Sequence, residues 1–285
     1  MSDVRAPIYL DDAYKIVEYP SGETHAQWNF TPGAYAPPYI VEAEIRDWNG
    51  LMHIVALTER ARQQRWEPQW FVPYMPFARD DRRRTVGCTN GLDLALSIIK
   101  DYNLDITIAD PHSYVTEVLP YIPQSGVVKA FRNYTSLFSD YDGNGPPIVL
   151  VPDDGARKKA DSWALYCESW EPVVDVIQAG KTRDPNTGKL SGFWIDDKNL
   201  PANAHKRPLV IIDDICDGGG TFLGLAEEAK RQGFKDDIRL GVTHGLFTKG
   251  TKILTDVFSK VVTCGPPQDG VETVSWKNLY AEGVV

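Results

Sequence analysis

The stretch Leu209 to Phe222, Leu-Val-Ile-Ile-Asp-Asp-Ile-Cys-Asp-Gly-Gly-Gly-Thr-Phe, constrains this chain more than any other. Its opening run, Leu209 to Ile212, is continuously apolar, the pattern of a strand buried on both faces of a parallel sheet. Phe222, Leu225, Ala226 and Ala229 then recur at i, i+3, i+4 and i+7 and predict a helix over Gly220 to Gln232. Gly233 falls where the C-terminal cap of that helix belongs. The strand ends in two adjacent carboxylates, Asp213 and Asp214, and Asp217, Gly218, Gly219, Gly220 and Thr221 lead on into the helix. Glycines let backbone N–H groups converge without Cβ obstruction. A helix N-terminus adds positive partial charge. The loop therefore predicts an anion cradle suited to one phosphate. The acids would repel that phosphate on contact, so they must face hydroxyls or a metal. Ribose offers two adjacent hydroxyls near its 5-phosphate. The segment thus reads as a ribose 5-phosphate site, with Asp213 and Asp214 on the hydroxyls and Asp217 to Thr221 on the phosphate. The blander reading is a tight glycine turn with solvated acids.

The rest of the chain repeats the strand–helix alternation. Ile148 to Val151 is a second continuous apolar run, and Gln69 to Met75 and Asp105 to Ala109 also read as strands. Leu51 to Gln64 reads as a helix, with Leu51, Ile54, Val55 and Ala61 near one face. This alternation predicts an α/β protein of two domains, each a mostly parallel sheet flanked by helices. In such sheets ligands sit beyond the carboxyl ends of the strands. Breakers and acids cluster at Ser139 to Pro147, so the expected domains are 1–143 and 147–285.

Composition removes several function classes. Lys and Arg number 30 against 39 Asp and Glu, a formal charge of -9 that would repel a nucleic-acid backbone. No apolar run approaches the roughly 20 residues of a membrane span. Met1 to Arg5 lacks the apolar stretch of a secretory signal. No nucleic acid, no membrane and a cytoplasmic location are expected. Cys88, Cys167, Cys216 and Cys264 are scattered without a CxxC, which predicts reduced thiols rather than a disulfide framework or zinc site.

Pro73 to Arg83, Pro-Tyr-Met-Pro-Phe-Ala-Arg-Asp-Asp-Arg-Arg, follows a predicted strand. Its arginine forks suit polyphosphate oxygens, although a solvated basic loop is the commoner outcome. Together with Asp213 to Thr221 it points to a known family. The glycine loop resembles the PRPP-binding motif of type I phosphoribosyltransferases and of ribose-phosphate diphosphokinases (PRPP synthetases), which usually runs Asp-Thr-x-x-Thr. Gly218 stands at the first threonine, and Thr221 keeps the second hydroxyl. The Pro73 segment resembles the Pro-Tyr-x-x-Tyr-Ala-Arg-Gln-Asp-Arg of the synthetases, with Asp80 replacing the glutamine; ordinary phosphoribosyltransferases lack it. Tyr19-Pro20-Ser21-Gly22-Glu23 resembles the family's Phe-Ser-Asp-Gly-Glu, and Ala109-Asp110-Pro111-His112 its Asp-Leu-His. Val151 to Gly155 resembles its Ser-Pro-Asp-x-Gly, Lys181-Thr182-Arg183 its Lys-Arg-Arg, and Thr243-His244-Gly245 its Thr-His-Gly. The matches keep the family's order from about Tyr19 to Gly265.

The resemblance implies an Mg2+-dependent diphosphokinase that moves the β,γ-diphosphate of ATP to the anomeric hydroxyl of ribose 5-phosphate, giving PRPP and AMP. It implies that Tyr19, Ser21 and Glu23 serve ATP's adenine across a subunit interface, hence a homo-oligomer. Arg79, Asp80, Arg82 and His112 would serve the nucleotide, and His112 and Asp153 the metal. Lys181 and Arg183 would be catalytic, at the start of a mobile loop near 181–192. The glycine-rich loop also leaves room for a substituted acceptor such as ADP-ribose, which would place the chain in NAD salvage. The glycine loop by itself also suits a phosphoribosyltransferase, and the whole set of motifs also suits a non-catalytic partner of a synthetase. Trp163, Trp170 and Trp194 read as core packing or as a stacking surface for a second base.

Overall fold

The computed structural model describes residues 8–10, 12–31, 39–80, 90–112, 127–128, 136–138, 145–153, 155–157, 160, 175–183, 190–196, 198, 200 and 202–278. Arg82, Cys88, Cys167, Trp163, Trp170, the break at 139–144 and the loop residues 184–189 lie outside them, as does the side chain of Arg183. Over the described residues the chain divides after Lys129 into two compact units.

The first unit is built on five parallel strands in the order β1-β4-β5-β6-β7: β1 (Ile8–Leu10), β4 (Tyr39–Glu42), β5 (Pro68–Val72), β6 (Ile106–Ala109) and β7 (Val127–Val128). Helix α1 (Trp48–Gln63) starts at Asp47, whose carboxylate accepts from Gly50 N at 2.9 Å. It buries Leu51, Ile54, Val55, Leu57, Thr58 and Ala61. Helix α2 (Gly91–Asp101) is capped by Asn90, which accepts from Asp93 N at 2.6 Å, and buries Leu92, Ala95, Leu96 and Ile99. The buried indole of Trp70 donates to Thr58 Oγ1 at 2.8 Å, and Thr58 donates to Ile54 O at 2.7 Å, so the core's polar atoms there are paired.

An antiparallel hairpin, β2 (Tyr14–Glu18) and β3 (Thr24–Trp28), forms its own two-stranded sheet. Trp28 anchors its stem: the ring stacks on Trp70 at 5.5 Å and its Nε1 donates to Leu57 O at 3.0 Å. The turn at the far end holds Tyr19 to Glu23. Gly22 N donates to Tyr19 O at 2.8 Å, and Gly22 takes φ +85°, a conformation that favours glycine.

The second unit carries seven strands in the order β10-β9-β8-β11-β12-β13-β14. They are β8 (Ile148–Val151), β9 (Val176–Arg183), β10 (Leu190–Ile195), β11 (Leu209–Cys216), β12 (Ile238–Gly245), β13 (Lys260–Cys264) and β14 (Glu272–Val274). All neighbours are parallel except β10, which runs antiparallel to β9. Helix α3 (Gly220–Arg231) buries Phe222, Leu225, Ala226 and Ala229, the residues its spacing predicted, and Gly233 follows with φ +88°. A Cβ on Gly224 would run into the Phe193 ring, so glycine there permits close packing of α3 on β10. Helix α4 (Lys252–Thr255) links β12 to β13. From β8 the chain builds outward through β9 and β10, and from β11 the other way through β12 to β14. The β8–β11 gap is therefore the topological switch point, where ligands bind in open α/β sheets. No helix among the described residues is long and apolar enough to cross a membrane.

Sequence and structure differ at one informative place. The sequence predicted a strand that ends in the acid pair Asp213 and Asp214. In the structure β11 runs two residues past that pair to Cys216, because β12 keeps pairing with it as far as Ile215–His244 and Cys216–Gly245. The acids are strand residues, held by a ladder rather than by a loop.

Candidate active site

In the second unit the chemistry-bearing residues collect at the carboxyl ends of β8 and β11. Asp153 follows β8. Its Oδ1 accepts from Gly155 N (3.1 Å) and Ala156 N (3.2 Å), and its Oδ2 faces Lys181 Nζ of β9 at 3.5 Å. Both side chains remain partly open to solvent. Across the switch point, Asp213 Oδ1 accepts from the N–H of Asp214, at 2.9 Å, and Asp214 is buried. Burial holds the Asp213 carboxyl well above the usual carboxylate range, with the charges of Asp214 and Asp153 adding to it. Acids thus stand on both sides of the switch point, the Asp213–Asp214 pair on β11 and Asp153 after β8, with Lys181 on Asp153. Among the described residues no set of three or more His, Cys, Asp or Glu side chains is placed to hold a metal ion.

The glycine loop follows at once. Gly219 is the N-cap of α3, at φ +74°, and offers no side chain to the first turn. No N-cap side chain therefore accepts from the first-turn N–H groups at the positive end of the helix. A Cβ on Gly220 would meet nothing within 4 Å and would project into open space. A Cβ on Gly219 would come within 3.0 Å of Leu254 Cδ2. Gly219→Ala is thus expected to cost about 1–2 kcal/mol of stability in urea titration, and Gly220→Ala to change stability by less than about 0.5 kcal/mol. Equal midpoints for the two variants would contradict this description of the loop. Cys216 is a free, buried cysteine. Its buried thiol is pushed up to about 12 by burial and by the charges of Asp213 and Asp217. Asp217 Oδ1 accepts from Thr248 Oγ1 at 2.7 Å.

The expected nucleotide-side residues lie in the first unit. Arg79 and Asp80 follow β5 and His112 follows β6, two adjacent parallel strands, and Asp80 and His112 are exposed. Asp80 Oδ2 accepts from Gly91 N at 2.6 Å, so this carboxylate also tethers the start of α2. Phe77 (φ +62°) and buried Asp110 (φ +36°) are non-glycine residues in the left-handed region at this end of the sheet, and Trp48 stacks on Phe77 at 3.8 Å. Such strain persists where the surroundings dictate it, often at functional sites. Tyr19, Ser21 and Glu23 are exposed at the hairpin turn, with Ser21 Oγ donating to Glu23 Oε2 at 2.9 Å. His244 is buried against Trp276 at 5.7 Å, which makes its place in β12 one of packing.

Sequence reasoning missed the loop after β12. Leu246 N and Phe247 N donate to Cys216 O (2.9 and 3.2 Å), and Thr248 N donates to Asp217 O (3.1 Å). That loop therefore borders the glycine loop, and Lys249 lies against Gly218. The available signal was Thr-Lys-Gly shortly after a buried strand. It becomes meaningful only once β12 is known to neighbour β11.

No protein-family model matches the chain. It is similar to a ribose-phosphate pyrophosphokinase of Ureaplasma parvum, 26% identical over 230 residues that cover 74% of this chain and 66% of the relative. It is also similar to a ribose-phosphate pyrophosphokinase of Methanopyrus kandleri, 26% identical over 246 residues, 84% of this chain and 78% of the relative. The match to the first of these spans just under two thirds of that relative's length. Among solved structures, a phosphoribosylpyrophosphate synthetase from Mycobacterium smegmatis superposes with a TM-score of 0.71 at 18% identity, covering 94% of this chain and 88% of that one.

Proposed function

We propose that this chain, a divergent member of the ribose-phosphate diphosphokinase (PRPP synthetase) family, is an ATP-dependent diphosphotransferase acting on a ribose 5-phosphate. The observation that carries the reading is the switch point of the second unit. There Asp213 and Asp214 stand on a buried strand shortly before an uncapped, side-chain-free helix N-terminus, with Lys181 and Asp153 beside them. A sugar's hydroxyls and its phosphate need that pair of environments.

In the proposed reaction the anomeric hydroxyl oxygen attacks the β-phosphorus of ATP. A new O–P bond forms, the bond from the β-phosphorus to the oxygen bridging the α-phosphorus breaks, and AMP leaves with that oxygen. The hydroxyl proton passes to solvent. Protein catalysis of such a transfer is mainly positioning and charge stabilisation. Asp213 and Asp214 would accept from the ribose hydroxyls and fix the ring. Gly218 to Thr221 would hold the 5-phosphate. Lys181, with Arg183, would offset charge gathering on the transferred group. Arg79 and Arg82, with His112, would serve the nucleotide, the role the resemblance gives them. Magnesium fits the donor chemistry of the second unit: Asp153 offers carboxylate oxygen, the ligand type a hard cation takes. When bound, magnesium would neutralise the ATP phosphates. The family reading also includes small-molecule substrates, a homo-oligomer and the exposed hairpin residues Tyr19, Ser21 and Glu23 at a shared ATP site.

A second acceptor has its own support. Gly218, Gly219 and Gly220 remove side-chain contacts from the cradle, and Gly220 borders open space. A 5-phosphate that carries a further nucleotide, as in ADP-ribose, would fit there. Mass spectrometry of products formed from ATP and magnesium with each acceptor separates the readings. AMP with PRPP supports ribose 5-phosphate, and AMP with a diphosphorylated ADP-ribose supports the substituted acceptor. AMP formed with no base present rules out a phosphoribosyltransferase, and any turnover by the isolated chain rules out a non-catalytic partner. No AMP with either acceptor would overturn the assignment.

A further inference from the structure

The glycine at position 218 has a physical reason outside its own backbone. Gly218, unlike Gly219, does not take a positive φ, so the turn itself does not call for glycine. A Cβ built there would instead stand 3.3 Å from Cε, 3.4 Å from Cδ and 3.6 Å from Cγ of Lys249. The lysine stem runs along the bare face of Gly218. A threonine, the residue usual at this position in the Asp-Thr-x-x-Thr pattern, would put its branch atoms into the same space.

Lys249 is exposed, and an exposed lysine is ordinarily a solvated one. Its loop is not an ordinary surface loop. Three backbone donors from Leu246, Phe247 and Thr248 bind the carbonyls of Cys216 and Asp217, and Thr248 Oγ1 binds the Asp217 carboxylate. Gly250 closes the turn at φ +79°, its N–H on Phe247 O at 2.7 Å. The stem is therefore carried to Gly218 by a fixed support. Nζ is one bond beyond the atom nearest that glycine, which directly precedes the N-cap of a helix with no side-chain cap.

We propose that Lys249 is a specificity-determining residue of the acceptor site, its ammonium supplying to the acceptor's phosphate the contact that a threonine hydroxyl at position 218 would otherwise make. This rests on the acceptor-site reading above. The exchange has a chemical consequence. A hydroxyl donates one directed hydrogen bond to a phosphate oxygen. An ammonium on a flexible stem is a point charge with three rotatable donors, and it serves a terminal phosphate or a bridged diphosphate alike. The Gly218–Lys249 pair thus relaxes the demand for a terminal phosphate.

The test is calorimetric binding of ribose 5-phosphate and of ADP-ribose, with magnesium and without ATP, alongside assays of AMP release. Lys249→Ala is expected to weaken whichever acceptor binds by about tenfold or more, and to leave the KM for ATP within about twofold. Lys249→Arg restores binding to within about threefold. Gly218→Thr weakens binding in the wild-type background by displacing the stem, yet in the Lys249→Ala background it improves ribose 5-phosphate and not ADP-ribose. Unchanged thermal midpoints show that the exposed variant folds. Wild-type affinity in Lys249→Ala for both acceptors overturns the proposal, and so does a wild-type chain that binds neither. Lys249-dependent binding without any AMP release would sustain the role of Lys249 and remove the diphosphokinase reading instead.

Discussion

Lys181→Ala is expected to lower kcat for AMP formation by about 10²–10³-fold, the usual scale for losing one group aimed at developing charge. The reason lies in what Lys181 faces. Its Nζ is 3.5 Å from Asp153 Oδ2, and both side chains keep substantial solvent exposure. An ion pair of that kind contributes roughly 0–1 kcal/mol to stability, so the thermal midpoint should hardly move. Loss of turnover without loss of fold separates a catalytic lysine from a structural one. Acceptor affinity measured without ATP should stay within about threefold, since the proposed role is on the transferred group. A variant that keeps kcat within about threefold of the parent would remove Lys181 from the mechanism.

Asp213→Asn should have opposite effects on stability and activity. Asp213 is held by burial, and by Asp214 and Asp153, well above the ordinary carboxylate range. The folded chain therefore binds a proton that the unfolded chain has already released. Its contribution to stability is greatest below the ordinary carboxylate range and falls as pH rises towards the folded pKa. Asparagine removes the charge but retains a carbonyl to accept from Asp214 N, the bond seen at 2.9 Å. The variant is expected to gain about 1 kcal/mol or more near neutral pH, measured by urea unfolding with a chelator present. The gain should shrink as pH falls. Acceptor turnover should drop by about tenfold or more, because the amide sets an NH2 donor where the carboxyl group has a second oxygen able to accept from a hydroxyl. A variant less stable than the parent at about pH 8 would show that the acids do not strain the fold. Full activity would show that Asp213 does not touch the acceptor.

Much of this architecture is legible in the sequence where one physical signal dominates. Ile148 to Val151 and Leu209 to Ile212 read as buried parallel strands because no polar residue interrupts them, and both are strands with every residue buried there. Helix α3 is legible because its apolar spacing and its C-terminal glycine agree. The hairpins are not. Strand β2 is Tyr-Lys-Ile-Val-Glu and β9 includes Gln178 and Lys181, so neither alternates cleanly or runs apolar. The hairpin of β2 and β3 is held by tertiary anchors such as Trp28 on Trp70, which leave no local trace. The same holds for the site. Asp213 to Thr221 is local and readable. The bond from Gly91 to Asp80 and the approach of Lys249 to Gly218 depend on which segments the fold makes neighbours.

The central claim is transfer of a diphosphoryl group to the anomeric oxygen, and the most direct test follows the β-phosphorus. The chain would be incubated with magnesium, an acceptor and ATP labelled at the β-phosphorus. The account predicts unlabelled AMP and, in equal amount, an acceptor carrying the labelled β-phosphorus bonded to its anomeric oxygen. Labelled ADP would mean transfer of the γ-phosphoryl group alone, and labelled free diphosphate would mean hydrolysis; either result would contradict the account.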